Sequence, residues 1–166
     1  MPRKYKKRKK RKIDPGRNNL TGAAGEYFVS AELSKMGYIA SLTMKNTIGI
    51  DIIASRTDGS RTVNIQVKTK RHRGHNWILN KKADTFVNDN IVYVFVDIYQ
   101  DNERPKYYIV PSKLVAEHTK TRYTEWLRTP GRKGQKHKGT SMRGWTDKEG
   151  LYLENWSLLG LDNEKK

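Results

Sequence analysis

The 166-residue chain contains no cysteine. Disulfides and thiolate metal sites are therefore excluded, and the absence fits a reducing compartment. Acid is also scarce: 17 Asp and Glu stand against 34 Lys and Arg, for a net charge of +17. No apolar run reaches the ~18 residues that suggest a membrane helix. The N-terminus lacks the apolar stretch of a signal peptide. Neither a Walker-type phosphate loop nor a Ser/His/Asp or Cys/His arrangement stands out, so NTP-driven motors and acyl transfer find no support.

What is abundant is positive charge. Residues 1–12 hold nine basic side chains and no acid, and removing these nine from +17 leaves +8 for the rest. The body is thus basic in its own right, which draws it to polyanions such as nucleic acid. Residues 1–19 are expected to form a disordered basic arm ending in the breaker Asp14-Pro15-Gly16. A second basic segment, residues 128–145, contains Gly131, Gly134, Gly139 and Gly144, six Lys or Arg and no acid. Its composition predicts a mobile loop.

Between these segments the pattern is α/β. Thr21–Met36 reads as a helix closed by Gly37. Tyr38–Met44, Ile50–Ser55 and Arg61–Thr69 read as strands. A short helix is expected within 81–90. Ile91–Ile98 is β-branched and aromatic, the pattern of a central strand. A further strand at Lys106–Val110 leads through Pro111 into a second helix. Leu151–Trp156 is expected to return to the core. Residues 20–161 then make one domain of a size that can bury a core.

The unusual residues lie on two neighbouring strands, in Gly49-Ile50-Asp51-Ile52-Ile53-Ala54 and Val63-Asn64-Ile65-Gln66-Val67-Lys68. Fourteen residues separate Asp51 from Gln66, and they include the turn pair Asp58-Gly59. Alternation along a strand puts Gln66 and Lys68 on one face and Val63, Ile65 and Val67 on the other. Asp51 can lie beside them. A carboxylate, the Gln66 amide oxygen and the Val67 carbonyl suit a hard cation such as Mg²⁺ or Mn²⁺, which needs only one or two carboxylates plus a substrate phosphate. Lys68 suits orientation of a water or stabilisation of charge on phosphorus. Glu26, in the first helix, can reach the metal through water. A solvated strand face carrying Gln-x-Lys is the plainer alternative.

The order helix with Gly25-Glu26, Gly49-Ile50-Asp51 strand, Ile65-Gln66-Val67-Lys68 strand resembles the PD-(D/E)XK nuclease superfamily over roughly residues 20–111. Within it, the glutamine version resembles Mrr-like restriction endonucleases and some homing endonucleases. Archaeal Holliday junction resolvases share the layout but usually have a carboxylate where Gln66 stands. The resemblance implies a restriction-endonuclease-like central mixed β-sheet flanked by helices, and Mg²⁺-dependent hydrolysis of DNA phosphodiesters. Asp51, Gln66, Lys68 and Glu26 would be the catalytic set, with Asp51, Gln66, Val67 and Glu26 as metal ligands. Gln66 leaves the site one negative ligand short, so a non-catalytic nucleic-acid-binding protein on the same fold is the competing reading. A basic assembly protein is a third.

Phosphate contacts are expected from Lys70, Arg71 and Arg73, just past Lys68, and from Arg132, Lys133, Lys136, Lys138 and Arg143 in the basic loop. The partner is then DNA, branched forms included. Nicks on opposite strands would require two sites and so favour a homodimer. The expected location is cytoplasmic and nucleoid-associated, or nuclear in a eukaryote. His72-x-x-His75 has a zinc-like spacing, but three neighbouring cations disfavour it. Trp77 reads as a packed rim aromatic or a stacking platform, and Trp145, beside the basic loop, as the better platform.

Overall fold

The computed structural model describes residues 15–44, 49–99 and 103–162. In chain order the elements are α1 (Pro15–Lys35), β1 (Ile39–Leu42), β2 (Ile52–Ser55), β3 (Thr62–Lys70), β4 (Asn76–Asn80), β5 (Ile91–Asp97), β6 (Lys106–Pro111), α2 (Ser112–Arg128) and β7 (Met142–Thr146). Short 3-10 turns cover Lys81–Asp84 and Trp156–Leu159. Five strands form one mixed sheet in the order β1-β2-β3-β5-β6, antiparallel except for the β3–β5 pair. β4 and β7 pair separately as a two-stranded ribbon.

The sheet is covered on both faces, and β5 shows why. Its first six residues are all buried. Val92, Val94 and Val96 join an aliphatic cluster with Val29 and Leu33 of α1 and with Val63, Ile65 and Val67 of β3. Tyr93 and Phe95 point the other way, into an aromatic cluster with Trp77, Tyr108, Val115 and Trp145. A strand buried on both sides reads as a continuous apolar run, as this one does. Each fully buried aliphatic side chain contributes roughly 1.5–3 kcal/mol, so the two clusters hold the sheet between α1 on one side and α2 with the β4–β7 ribbon on the other.

The expected central mixed sheet flanked by helices is present, and several boundaries move. α1 begins at Pro15 rather than at Thr21, so residues 15–19 belong to the helix and not to an arm. Proline is tolerated at a first helical position, where its missing N–H would have no partner. Residues 1–14 of the expected arm lie outside the described residues. The expected helix within 81–90 is a single 3-10 turn, capped where the Asn80 side chain accepts from the Lys82 N–H. β4 was not anticipated. The segment 128–145 is not loop throughout, because Met142–Thr146 forms β7 against β4. The remaining loop is fastened: the His137 ring stacks on Trp126 at 4.1 Å, and the Thr140 N–H donates to the Tyr123 hydroxyl at 2.9 Å.

Candidate active site

The site grows out of an irregularity where β2 begins. In a regular ladder both backbone groups of a residue face the same neighbouring strand. At Asp51 they part. Its N–H donates to the Ile65 carbonyl of β3 at 2.8 Å, while its carbonyl accepts from the Thr43 N–H on the β1 side at 3.0 Å. Such bulge-like departures re-aim a side chain. Here the Asp51 carboxylate turns onto β3, where Oδ2 accepts the Val67 N–H at 2.7 Å. Oδ1 makes no hydrogen bond among the described residues. By strand alternation the Val67 carbonyl faces the same edge as its N–H, beyond the last registered β2–β3 pair, Ile52 with Ile65.

Two glycines make the approach possible. Gly49 has φ +72°, and a Cβ there would meet the Phe86 ring at 2.7 Å. The Gly-x-Asp spacing thus reflects a left-handed residue tucked under an aromatic ring. Gly25 lies against Thr69 of β3, whose Oγ1 would be 1.8 Å from an added Cβ. Its missing side chain lets α1 close on β3 and carries the next residue, Glu26, to the sheet.

Electrostatics shows which groups come together. Burial lowers the Lys68 pKa from its ordinary value of 10.5, and the charges of Asp51 and then Glu26 oppose that shift. Lys68 therefore sits in the field of both carboxylates. The Tyr93 phenol, registered beside Gln66, is pushed up to about 12 by burial and, secondarily, by Asp51. Gln66 and Lys68 share a face and together line one cavity. The four residues expected to form the site thus lie in one neighbourhood, with Val67 bonded to Asp51. Among the described residues no group of three or more His, Cys, Asp or Glu is arranged to hold a metal. The oxygen donors on hand are the Asp51 and Glu26 carboxylates, the Gln66 amide and the Val67 carbonyl. That set fits Mg²⁺ or Mn²⁺, which accept few carboxylates and take waters and phosphate oxygens for the rest.

The expected DNA contacts divide. Lys70 is not available: it is 4% exposed, its Nζ pairs with Asp97 and the Gly74 carbonyl, and it lies 4.7 Å from the Trp77 ring. Arg143 is likewise structural, bonded to Asp84 at 2.8 Å and stacked 3.5 Å above the Tyr123 ring. Trp145 is 1% exposed and stacks on Phe95 at 4.0 Å, so it is a core residue and not a base platform. Trp77 is packed as well, its indole N–H donating to the Val96 carbonyl. Arg71, Arg73, Arg132, Lys133, Lys136 and Lys138 are exposed. His72 and His75 are exposed on the same short loop. Tyr93, Phe86 and Lys82 were not singled out in the sequence, since only the fold brings them beside Gln66 and Lys68.

Two solved structures are similar to this chain. One is I-Ssp6803I, a bacterial homing endonuclease, at 14% identity with a TM-score of 0.49, covering 86% of this chain and 91% of the other. The second is Hjc, a Holliday junction resolvase from Archaeoglobus fulgidus, at 14% identity and a TM-score of 0.45, covering 79% and 86%. No protein-family model matches the chain, and no curated protein is similar to it. No helix of the described residues is long and apolar enough to cross a membrane.

Proposed function

We propose that the chain is a metal-dependent endonuclease that hydrolyses phosphodiester bonds in DNA, with structure selectivity or weak sequence specificity. The observation that carries the reading is Lys68, a desolvated lysine in the joint field of Asp51 and Glu26 and on one wall with Gln66. Desolvated, perturbed groups in a cleft are candidates for functional sites on stated physical grounds.

The division of labour follows from the donors. Asp51, held in place by the Val67 N–H, would hold Mg²⁺ or Mn²⁺ with the Gln66 amide and Val67 carbonyl as neutral ligands, and Glu26 would act through water. When bound, the cation neutralises phosphate charge and lowers the pKa of water beside it. Burial favours loss of the Lys68 proton, and the charges of Asp51 and then Glu26 favour the ammonium form. Its ammonium then orients the attacking water and stabilises the charge that builds on the phosphate oxygens. Exposed Arg71, Arg73, Arg132, Lys133, Lys136 and Lys138 grip phosphates. Affinity would then depend on salt, with little reading of bases.

A second reading, a DNA-binding protein that does not cut, is favoured by one observation: Gln66 is neutral, and no cluster of three acids forms among the described residues. The test is incubation with supercoiled, linear and branched DNA in Mg²⁺ or Mn²⁺. Cutting that disappears in Asp51→Ala and Lys68→Ala supports the enzyme. Absence of cutting, with DNA binding independent of metal, supports the second reading. Calorimetry of Mn²⁺ binding, lost in Asp51→Ala, would separate the two independently of turnover.

A further inference from the structure

A cavity of about 290 Å³ opens on the same face of β3 as Gln66 and Lys68, and those two residues form part of its lining. Its other walls come from a different part of the chain. Leu79 and Ala83, each 5% exposed, supply apolar surface. Phe86, held against Gly49 and half-buried, supplies an aromatic ring, and Tyr93, buried beside Gln66, closes the floor. Asn80 and the exposed Lys82 supply a polar rim. We infer that this cavity takes one unpaired nucleobase of the DNA strand being cut. The preferred substrate is then DNA with an unpaired nucleotide beside the scissile phosphate. This inference rests on the nuclease reading of the adjoining site.

Three features carry it. The volume lies at the lower limit of ligand pockets, ~300 Å³, which suits a single planar ring system better than a large cofactor. The half-buried Phe86 ring, over an apolar floor of Leu79, Ala83 and Tyr93, gives a stacking surface that tolerates any base. Finally, the cavity shares the Gln66–Lys68 wall with the phosphate site, so one nucleotide can present its phosphate to Lys68 and its base to Phe86 while Lys82 meets a flanking phosphate. A base in a duplex is stacked and paired, and leaving the stack costs least where the nucleotide is already unpaired. Selectivity for branches or flaps would thus arise from the pocket, without base-specific hydrogen bonds.

The test uses the full chain in EDTA, so that binding is read without cutting. Dissociation constants are measured for flap oligonucleotides in which each unpaired position near the branch is, in turn, a normal or an abasic nucleotide. Loss of one stacked base is expected to weaken binding about fivefold or more at one position. In Ala83→Met, which fills the cavity, intact and abasic flaps should bind alike. Lys82→Glu, at an exposed position that does not threaten folding, should weaken flap binding more than binding of a paired duplex of the same length. Equal affinity for intact and abasic flaps in the wild type overturns the inference, as does equal weakening of flap and duplex by Lys82→Glu. If the abasic effect is absent yet Mg²⁺-dependent cutting persists, the pocket falls and the nuclease reading stands. An abasic effect with no cutting in any metal keeps the pocket and removes the nuclease reading. No binding to any DNA overturns both.

Discussion

Lys68 and Lys70 leave the same face of β3 two residues apart, and their surroundings differ. Lys70 ends in a buried ion pair with Asp97, covered by Trp77 and the Gly74 carbonyl. Lys68 ends beside a cavity, desolvated, with the charges of Asp51 and Glu26 acting on it. One lysine has its charge matched by a single fixed partner. The other lies in the field of two carboxylates and lines an open cavity. The difference separates a lysine that ties β3 to β5 from one that is poised for a phosphate.

The contrast can be broken at Lys70 first. Removing one partner of a buried pair leaves an uncompensated charge, so Lys70→Ala should cost about 3–5 kcal/mol in urea denaturation. Arg73→Ala, on the adjoining exposed loop, should stay within about 0.5 kcal/mol. At the other lysine, Lys68→Met should leave stability at pH 7 unchanged or raised.

Gly25→Ala tests how Glu26 is delivered. A Cβ that meets Thr69 must push α1 from β3, an overpacking cost of about 1–3 kcal/mol. Cutting should fall alongside it, since Glu26 moves with the helix. Gly22→Ala, with no atom within 4 Å of the new Cβ, should not reduce stability.

A subtler change sharpens the electrostatic side. The Lys68 pKa lies below its ordinary 10.5 when folded, so the folded state binds fewer protons than the unfolded one between the folded pKa and 10.5. Stability contributed by this group therefore rises with pH across that window. Asp51→Asn removes the larger of the two charges that hold the proton on. It should move the Lys68 pKa further down and extend the window to lower pH, with Glu26→Gln acting in the same direction by less. ¹³C NMR titration of the Lys68 side chain reads both. The smallest effect belongs to the loop cations. Replacing Lys136 by Gln should weaken all DNA sequences alike and reduce the salt slope by about one, whereas replacing Lys70 should change stability.

Much of this was legible in the chain. Ile91–Ile98 announced a central strand because β-branched and aromatic residues fill both faces of it, and the Gln66–Lys68 alternation placed both polar groups on one side. Asp51, Glu26 and Lys68 were named from their order along the chain, and they come within electrostatic reach of one another. What was not legible depended on partners distant in sequence. Nothing local marks Lys70 as buried, since Asp97 lies on another strand. Trp145 looked like a platform because its neighbours in sequence are basic, yet its neighbours in space are Phe95 and Trp77. β4 and β7 were missed because each is short and half-polar, and each becomes a strand only by pairing with the other. Pro15 was read as a breaker, although proline breaks a helix only inside it, not at its first residue.

The most direct measurement is the rate of cutting of branched DNA in Mg²⁺ or Mn²⁺ by the wild type, Lys68→Met and Lys70→Met, each assayed where it is fully folded. The account predicts that Lys68→Met lowers the rate by about 10²–10³, the usual effect of losing one group that stabilises transition-state charge, while folded Lys70→Met cuts like the wild type. Equal activity of Lys68→Met and the wild type would contradict it.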